Sequence, residues 1–489
     1  MKNSFRSLSR CLIWIIVAVF LLSASCASAE NPSGEIFDAD FDYIGKDGAA
    51  DLDGFEYSIR YYDHYVPEDG SLFGYRDRTV FNDAVLKRID EIEKAYNCTI
   101  EPSSASGADL DSNMLPILIS GQKYYDTVMS SSWNLRSIIE SGAFESLLPV
   151  SHIIDYKNSE KWGNWRLLEQ SVWDGNLYGV VPVQWPGVAV TSGWMFVFNE
   201  NLAGLLGQPD PREYIETKVW TREKLGEMML TYTTDDLGHP LKALLTYEGH
   251  FYDTALRANN AQTYKLVDGK YVSGYHTPEG YDALKWADDF LHVDYADCTY
   301  LPVPGDSERN AIFINEDVAM FLSHVSNIFG TNSEIPFAVD NYCVLPMPNG
   351  PEREKTNAPY TTAFERVHAN TFFPINGDIE KSATIANALF EPLEGFDEEG
   401  LKEYYLRNYY HDERDYELVK EVFENHRYTF LSDGMRSSVV EALYGNHTRS
   451  VTEVLDATEE SQNERVTKYI VPTVESLEEI FGADVISDQ

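Results

Sequence analysis

Cysteine is scarce in this chain: five in 489 residues, with Cys11 and Cys26 both inside the first 29. The other three, Cys98, Cys298 and Cys343, allow at most one intrachain disulfide and show no C-x-x-C spacing. A disulfide framework and a cysteine metal or redox centre are therefore not encoded, and the three read as small buried thiols. Cations are also few. Against 79 acidic residues stand 38 basic ones, a net charge of −41 that is spread along the chain as a solvated surface. Nucleic acids and anionic membranes need a cationic face, so both are excluded as partners. An anionic ligand would need a local basic pocket. Also missing are the G-x-S-x-G nucleophile elbow, the H-E-x-x-H zinc signature and the G-x-x-x-x-G-K-[ST] phosphate loop. The histidines are scattered, without helical pair spacing.

Only one long apolar run occurs, and it lies at the start. Lys2, Arg6 and Arg10 precede the apolar core Leu12–Leu22, and Ala27-Ser28-Ala29 follows as a small-x-small cleavage pattern. This core is well short of the roughly 20 residues that span a bilayer. Residues 1–29 are expected to be a signal peptide removed before Glu30, with lipid attachment at Cys26 as the alternative. Residues 30–54 are acidic, Gly-rich and aperiodic, a flexible linker. Asp38, Asp40 and Asp42 do not make a calcium loop, because Tyr43 and Ala49 stand where an EF-hand requires Gly and Glu. No metal and no cofactor is implied.

Order begins near Phe55. Glu56–Tyr65 reads as a strand, and Val80–Tyr96 carries apolar residues at 81, 85, 89 and 92, the helical spacing. A strand at Cys98–Ile100, a helix at Asp109–Ile119, a strand at Asp126–Met129 and a helix from Leu135 follow. Alternation of this kind implies a mainly parallel sheet flanked by helices. From about Gly187 the pattern restarts, with a strand at Trp194–Asn199, helices at Thr221–Met229 and Pro278–His292, and strands at Val318–Phe321 and Tyr342–Leu345. The length exceeds one ordinary core and suggests two lobes. Lys381–Leu393, the tyrosine-rich 396–426 and the tail 435–481 read as further helices.

Several short motifs recur in a fixed order. Ser120-Gly121 ends a helix, Tyr125-Asp126 and Val128 form a strand, and Gly142–Leu147 follows. Next come Asp174, Gly175, Tyr178, Gly179 and Pro182, then Phe198-Asn199, then Trp220, Thr221 and Leu225. Ala319-Met320 and Tyr342, Val344, Pro346 and Pro348 complete the set. In this order and spacing they resemble the extracellular solute-binding proteins of family 1, the carbohydrate-type receptors of ABC transporters. The resemblance spans most of 55–395 and departs from the pattern at Ser323–Asn327, where members often carry Gly and Trp.

What the resemblance implies is an α/β, two-lobe periplasmic-binding-protein-like fold of type II, each lobe a mainly parallel sheet flanked by helices, with the ligand cleft at the hinge. Lobe one would be 55–182 plus 349–400 and lobe two 183–348 plus 401–489, with crossings at Val180–Trp185 and Tyr342–Pro348. The chain would be an exported, extracellular or cell-surface monomer, not an enzyme. It would pass a carbohydrate, as an oligosaccharide, to the membrane permease subunits of an ABC importer. A secreted carbohydrate-active enzyme and a peptide or polyamine receptor of the same fold are the alternatives.

Sugars present apolar ring faces and a rim of hydroxyls, which aromatic rings and paired polar side chains recognise. Trp133 follows a strand end, Trp185 sits at the first crossing and Trp194 begins a strand. His324 and Asn327 follow the Ala319-Met320 strand, where the family places ligand contacts. Tyr252, Asp253 and Tyr360 complete the expected ligand-binding set; Asp126 is expected to support its loop instead.

Overall fold

The computed structural model describes residues 50–62, 72–73, 75, 79–105, 107–130, 135–185, 193–301, 306–329, 334–364, 370–428, 434–444 and 449–483. The expected signal peptide, the Cys26 anchor and most of the 30–54 linker lie outside them.

The first lobe is built from β1 (Phe55–Tyr62), α1 (Val80–Tyr96), β2 (Cys98–Ala105), α2 (Gly107–Ile119), β3 (Thr127–Ser130), α3 (Leu135–Glu140) and β4 (Gly179–Val180). α1 forms where its periodicity places it. Thr79 caps its start by accepting from the Asn82 N–H at 3.3 Å, and Asn97 ends it in the left-handed region at φ 48°. Its Phe81, Val85, Ile89 and Ile92 are buried. β1 pairs parallel with both β2 and β3. Asp126 locks that pairing: its carboxylate accepts from the Ser58 N–H and hydroxyl, both at 2.8 Å.

The second lobe holds β5 (Trp194–Asn199), β6 (Lys242–Thr246), α4 (Glu248–Ala258), α5 (Pro278–Asp289), β7 (Thr299–Tyr300), α6 (Asp306–Ile314), β8 (Val318–His324) and β9 (Tyr342–Leu345). Its sheet has the order β7-β6-β8-β5-β9. β6, β7 and β8 run parallel, and β5 is antiparallel to β8 and β9. The chain then returns to the first lobe as β10 (Asn370–Phe372), which enters the order β2-β1-β3-β10-β4 antiparallel to β3 and β4. α7 (Ile379–Leu389) packs on α1 and β1, whereas α8 (Glu398–Asn408) and α9 (Glu413–Glu424) pack on the second lobe. The last two helices are α10 (Val451–Arg465) and α11 (Val471–Phe481).

The crossings differ from the sequence expectation. Val180 is a strand residue of lobe one, the Val183 N–H donates to Lys161 O at 3.0 Å, and Trp185 packs against Phe390. The chain therefore leaves lobe one only after Trp185. Tyr342–Pro348 is not a crossing. β9 edges the second sheet, Trp220 Nε1 donates to Pro346 O at 2.9 Å, and the Gly350 N–H donates to Ala258 O at 2.7 Å. Thr362 still bonds Trp194, so the return to lobe one falls between Thr362 and Asn370. Prolines end β9 without ending the lobe, because the Pro346 carbonyl and the Gly350 N–H find partners on it. A further difference lies in the tail. α11 packs on lobe one, where the Gly175 N–H donates to Ser476 Oγ at 2.8 Å, although the whole of 401–489 was expected in lobe two. Cys98, Cys298 and Cys343 are buried free thiols.

A buried ion pair fixes α9 to the second sheet. Arg212 Nε and Nη2 donate to the two oxygens of Asp415 at 2.9 and 2.7 Å, and Nη2 also donates to Tyr342 O at 3.2 Å. Asp415 accepts in turn from the Val344 N–H at 3.2 Å. Burial works against the charge, but Asp415, together with Glu200, which accepts from Nη2 at 3.1 Å, holds the guanidinium pKa well above its usual value. Arg212→Ala leaves Asp415 buried without its counter-charge, and unfolding in urea should show a loss of about 3–5 kcal/mol.

His276 anchors α10 by donating from Nε2 to Leu455 O at 3.0 Å. Burial lowers its pKa below 6.5, so the folded state keeps it neutral while the unfolded chain takes up a proton. Unfolded chains thus bind more protons once pH drops below about 6.5, and stability is lost as pH falls through that range. Thermal melts from pH 7.5 to 5 should show this slope, reduced in His276→Gln.

Candidate functional site

The carboxyl end of the second sheet gathers residues from three strands. β6 ends at Thr246, opposite Leu322 of β8, so Tyr247 and His324 emerge at the same edge. β5 runs the other way and starts there, with Trp194 opposite His324. In open α/β sheets ligands bind outside the carboxyl ends of the strands.

Trp194 is fixed through its backbone. Its N–H donates to Thr362 Oγ1 at 2.8 Å, and the Thr362 hydroxyl donates to Trp194 O at 2.7 Å. Gly193, at φ 96°, makes that approach possible, since a Cβ there would stand 2.4 Å from Thr362 Cγ2. The indole stacks on the His250 imidazole, with centroids 3.5 Å apart and planes at 17°. His324 meets it edge-on at 5.5 Å and shares a 2.6 Å hydrogen bond between its Nδ1 and Ser326 Oγ.

Tyr247 extends the group. Its ring lies 4.9 Å from His250 and 5.6 Å from Tyr444, and the two phenol oxygens are 3.1 Å apart. Burial and its tyrosine neighbour raise the Tyr444 pKa, so the hydroxyl stays neutral and can donate or accept. Arg309 of α6 stands over the Tyr247 ring at 5.9 Å, and burial lowers its pKa. Trp194, Tyr247, His250, Arg309, His324 and Tyr444 are all half-buried, so each keeps part of its side chain accessible. Flat rings with polar edges are what a sugar needs from a protein surface: stacking faces and a rim of hydrogen-bonding groups.

Of the residues expected from sequence, Trp194 and His324 come together in this cluster. Three others are core. Trp185 is 2 % exposed, wedged among Phe73, Tyr75 and Phe390, with Nε1 donating to Glu391 O at 3.3 Å. Tyr252 faces into the lobe from α4, where its hydroxyl donates to Asp288 at 2.8 Å. Asp253 is fully buried and forms an ion pair at 2.6 Å with Arg436 Nε. α4 is buried on every side from Phe251 to Ala258, so 252 and 253 meet core, while His250 in its first turn reaches the edge. Tyr360 packs against the second-lobe core, and burial pushes its phenol pKa up to about 12. Trp133 and the side chain of Asn327 lie outside the described residues.

Four members of the cluster were not anticipated: Tyr247, His250, Arg309 and Tyr444. Tyr247 had a signal, because it directly follows the apolar strand run that ends at Thr246. Tyr444 arrives from the distant tail, which no local pattern announces.

Comparison with solved structures places the fold in a class. The chain has the two-lobe fold of the type II periplasmic binding proteins, the fold of ABC sugar-binding receptors. An ABC substrate-binding protein of Listeria monocytogenes in complex with cycloalternan superposes with a TM-score of 0.57 at 14% identity, covering 85% of this chain and 100% of that one. The GacH receptor of Streptomyces glaucescens, described in complex with acarbose, gives 0.56 at 13% identity over 85% of this chain and 99% of its own. The maltose/maltodextrin-binding domain MalE of Bdellovibrio bacteriovorus, bound to maltotriose, gives 0.55 at 12% identity over 84% and 100%. No family model matches the sequence, and no curated protein does.

Trp185→Ala should cost about 3–5 kcal/mol in urea unfolding, as for other large core aromatics. Trp194→Ala, at a half-buried surface, should cost far less stability, and the comparison of the two urea midpoints checks the assignment.

Proposed function

We propose that this protein is the extracytoplasmic receptor of an ABC importer, binding a carbohydrate, as an oligosaccharide, between its lobes. The observation that carries this reading is the Trp194–His250–Tyr247–His324 cluster, set at the strand-end edge of a fold shared with sugar receptors. Trp194 and Tyr247 would stack on pyranose faces, while His324, Tyr444 and Arg309 would bond hydroxyls. Trp133, which follows the strand end of β3, is the proposed counterpart from the first lobe. Closure would follow from contacts that the sugar makes with both lobes only in the closed state. The protein would be exported, by cleavage before Glu30 or as a lipoprotein at Cys26, and act as a monomer with its permease subunits.

The cluster favours binding over hydrolysis. Glycosidases usually need two carboxyl groups flanking the scissile bond, one as acid and the other as base or nucleophile. Asp253, on the helix that carries His250, is instead held in a buried ion pair with Arg436.

A thermal-shift screen against mono- and oligosaccharides, with peptides and polyamines alongside, tests the reading. An oligosaccharide at 100 times its Kd should add about 2.7 kcal/mol of stability without being consumed. Trp194→Ala and Tyr247→Ala should each weaken that binding by more than about tenfold, the loss expected when a stacking ring is removed. A shift from a peptide or polyamine alone would overturn the carbohydrate assignment, and turnover of the sugar would overturn the receptor one.

A further inference from the structure

The C-terminal helix joins the two lobes a second time, away from the crossing segments. Its first half, α10, is docked on lobe two. His276 bonds Leu455 O, the Ser273 N–H donates to Asn463 Oδ1 at 3.2 Å, and the fully buried Gln462 donates to Met435 O at 2.8 Å. Its second half, α11, is docked on lobe one. Arg136 Nη2 donates to Thr473 Oγ1 and the Gly175 N–H to Ser476 Oγ, both at 2.8 Å. Phe481 meets Tyr156 edge-on at 5.9 Å, and Val474, Leu477 and Ile480 are buried.

Between the two docks the backbone changes type. Val466–Ile470 forms a π-helical turn, closed by the Val471 N–H donating to Val466 O. The cause is local. Pro472 has no N–H to donate, and its ring crowds the carbonyl four residues earlier, so the helix widens there. The turn also sits at the seam. It packs on the lobe-two hairpin at 270–273 and runs directly into α11, which lies on lobe one. A widened turn between two rigidly held halves is where a helix bends at least cost.

We infer that the α10–α11 helix is a strap across the lobes, flexing at Val466–Ile470 and limiting how far the lobes turn against one another. The inference rests on the reading that the lobes close over a ligand. Its tests need no ligand, so they succeed or fail separately from the sugar screen.

Hydrogen exchange on the unliganded full chain should show the amides of 467–470 opening at least about tenfold faster than those of 455–462 and 475–480. Uniform protection along 455–480 would overturn the flexing point. Thr467 and Lys468 are exposed, and their side-chain hydrogen bonds go to Asn463 O and the Tyr469 hydroxyl within the strap itself, so the double variant Thr467→Gly, Lys468→Gly loosens the turn and keeps the hydrogen bonds of both docks. Small-angle scattering of that variant should require a wider spread of lobe arrangements than wild type. The matching double alanine variant, which removes the same side chains without adding backbone freedom, should scatter as wild type does. Identical scattering from all three proteins would overturn the strap.

Discussion

A chain that passes between two lobes must arrive in each at the edge that faces the other, and this constraint organises the whole molecule. In each lobe the parallel strands end at that edge, so the strand entering from the neighbouring lobe starts there and runs antiparallel to them. β5 does this in lobe two and β10 in lobe one. The first residue of an arriving strand therefore sits among the last residues of the parallel ones. Trp194 lies opposite His324, and Asn370 lies opposite Ser130. The candidate cleft follows from strand direction, and Tyr247 and His250 join it because α4 begins where β6 stops.

An acidic chain must also place its few buried cations with care, because each costs several kcal/mol of desolvation unless fully partnered. Arg212 is spent on attaching α9. Arg88 donates to the carbonyls of Ala388, Glu391 and Pro392, closing the end of α7 where a cation meets the negative end of the helix. Lys161 reaches Asn387 and Glu391 at the same end, and its own backbone carbonyl takes the Val183 N–H. Trp185 donates to Glu391 O alongside. The segment leading out of lobe one is thus held, through the Val183 N–H and the Trp185 indole N–H, to groups that Arg88 and Lys161 fix at the end of α7, which places the departure point after Trp185.

Much of the architecture was legible in local patterns. The 81-85-89-92 spacing gave α1, the alternation of strands and helices gave a parallel sheet, and the ordered motifs pointed to two lobes. Asp126, expected to support its loop, instead ties its segment to β1 through Ser58. What misled was the use of a single residue type to locate an event in space. Prolines after β9 suggested a crossing, yet Trp220 and Ala258 hold that segment to lobe two. Trp185, Tyr252 and Asp253 have the chemistry of sugar contacts, but side-chain direction decides whether such groups meet ligand or core, and direction depends on the neighbouring helix or strand.

The sequence by itself determined the class of the chain. Charge, scarce cysteine and the periodicities are properties of composition and short-range order, and each has a direct physical reading. Tertiary structure decided which aromatic residues share an edge, because Trp194, Tyr247, His324 and Tyr444 are brought together by pairing register and by a helix from the tail. It also decided that the last helix returns to the first lobe. Such contacts join residues hundreds of positions apart, as Arg136 and Thr473 do, and no local pattern encodes a partner at that distance.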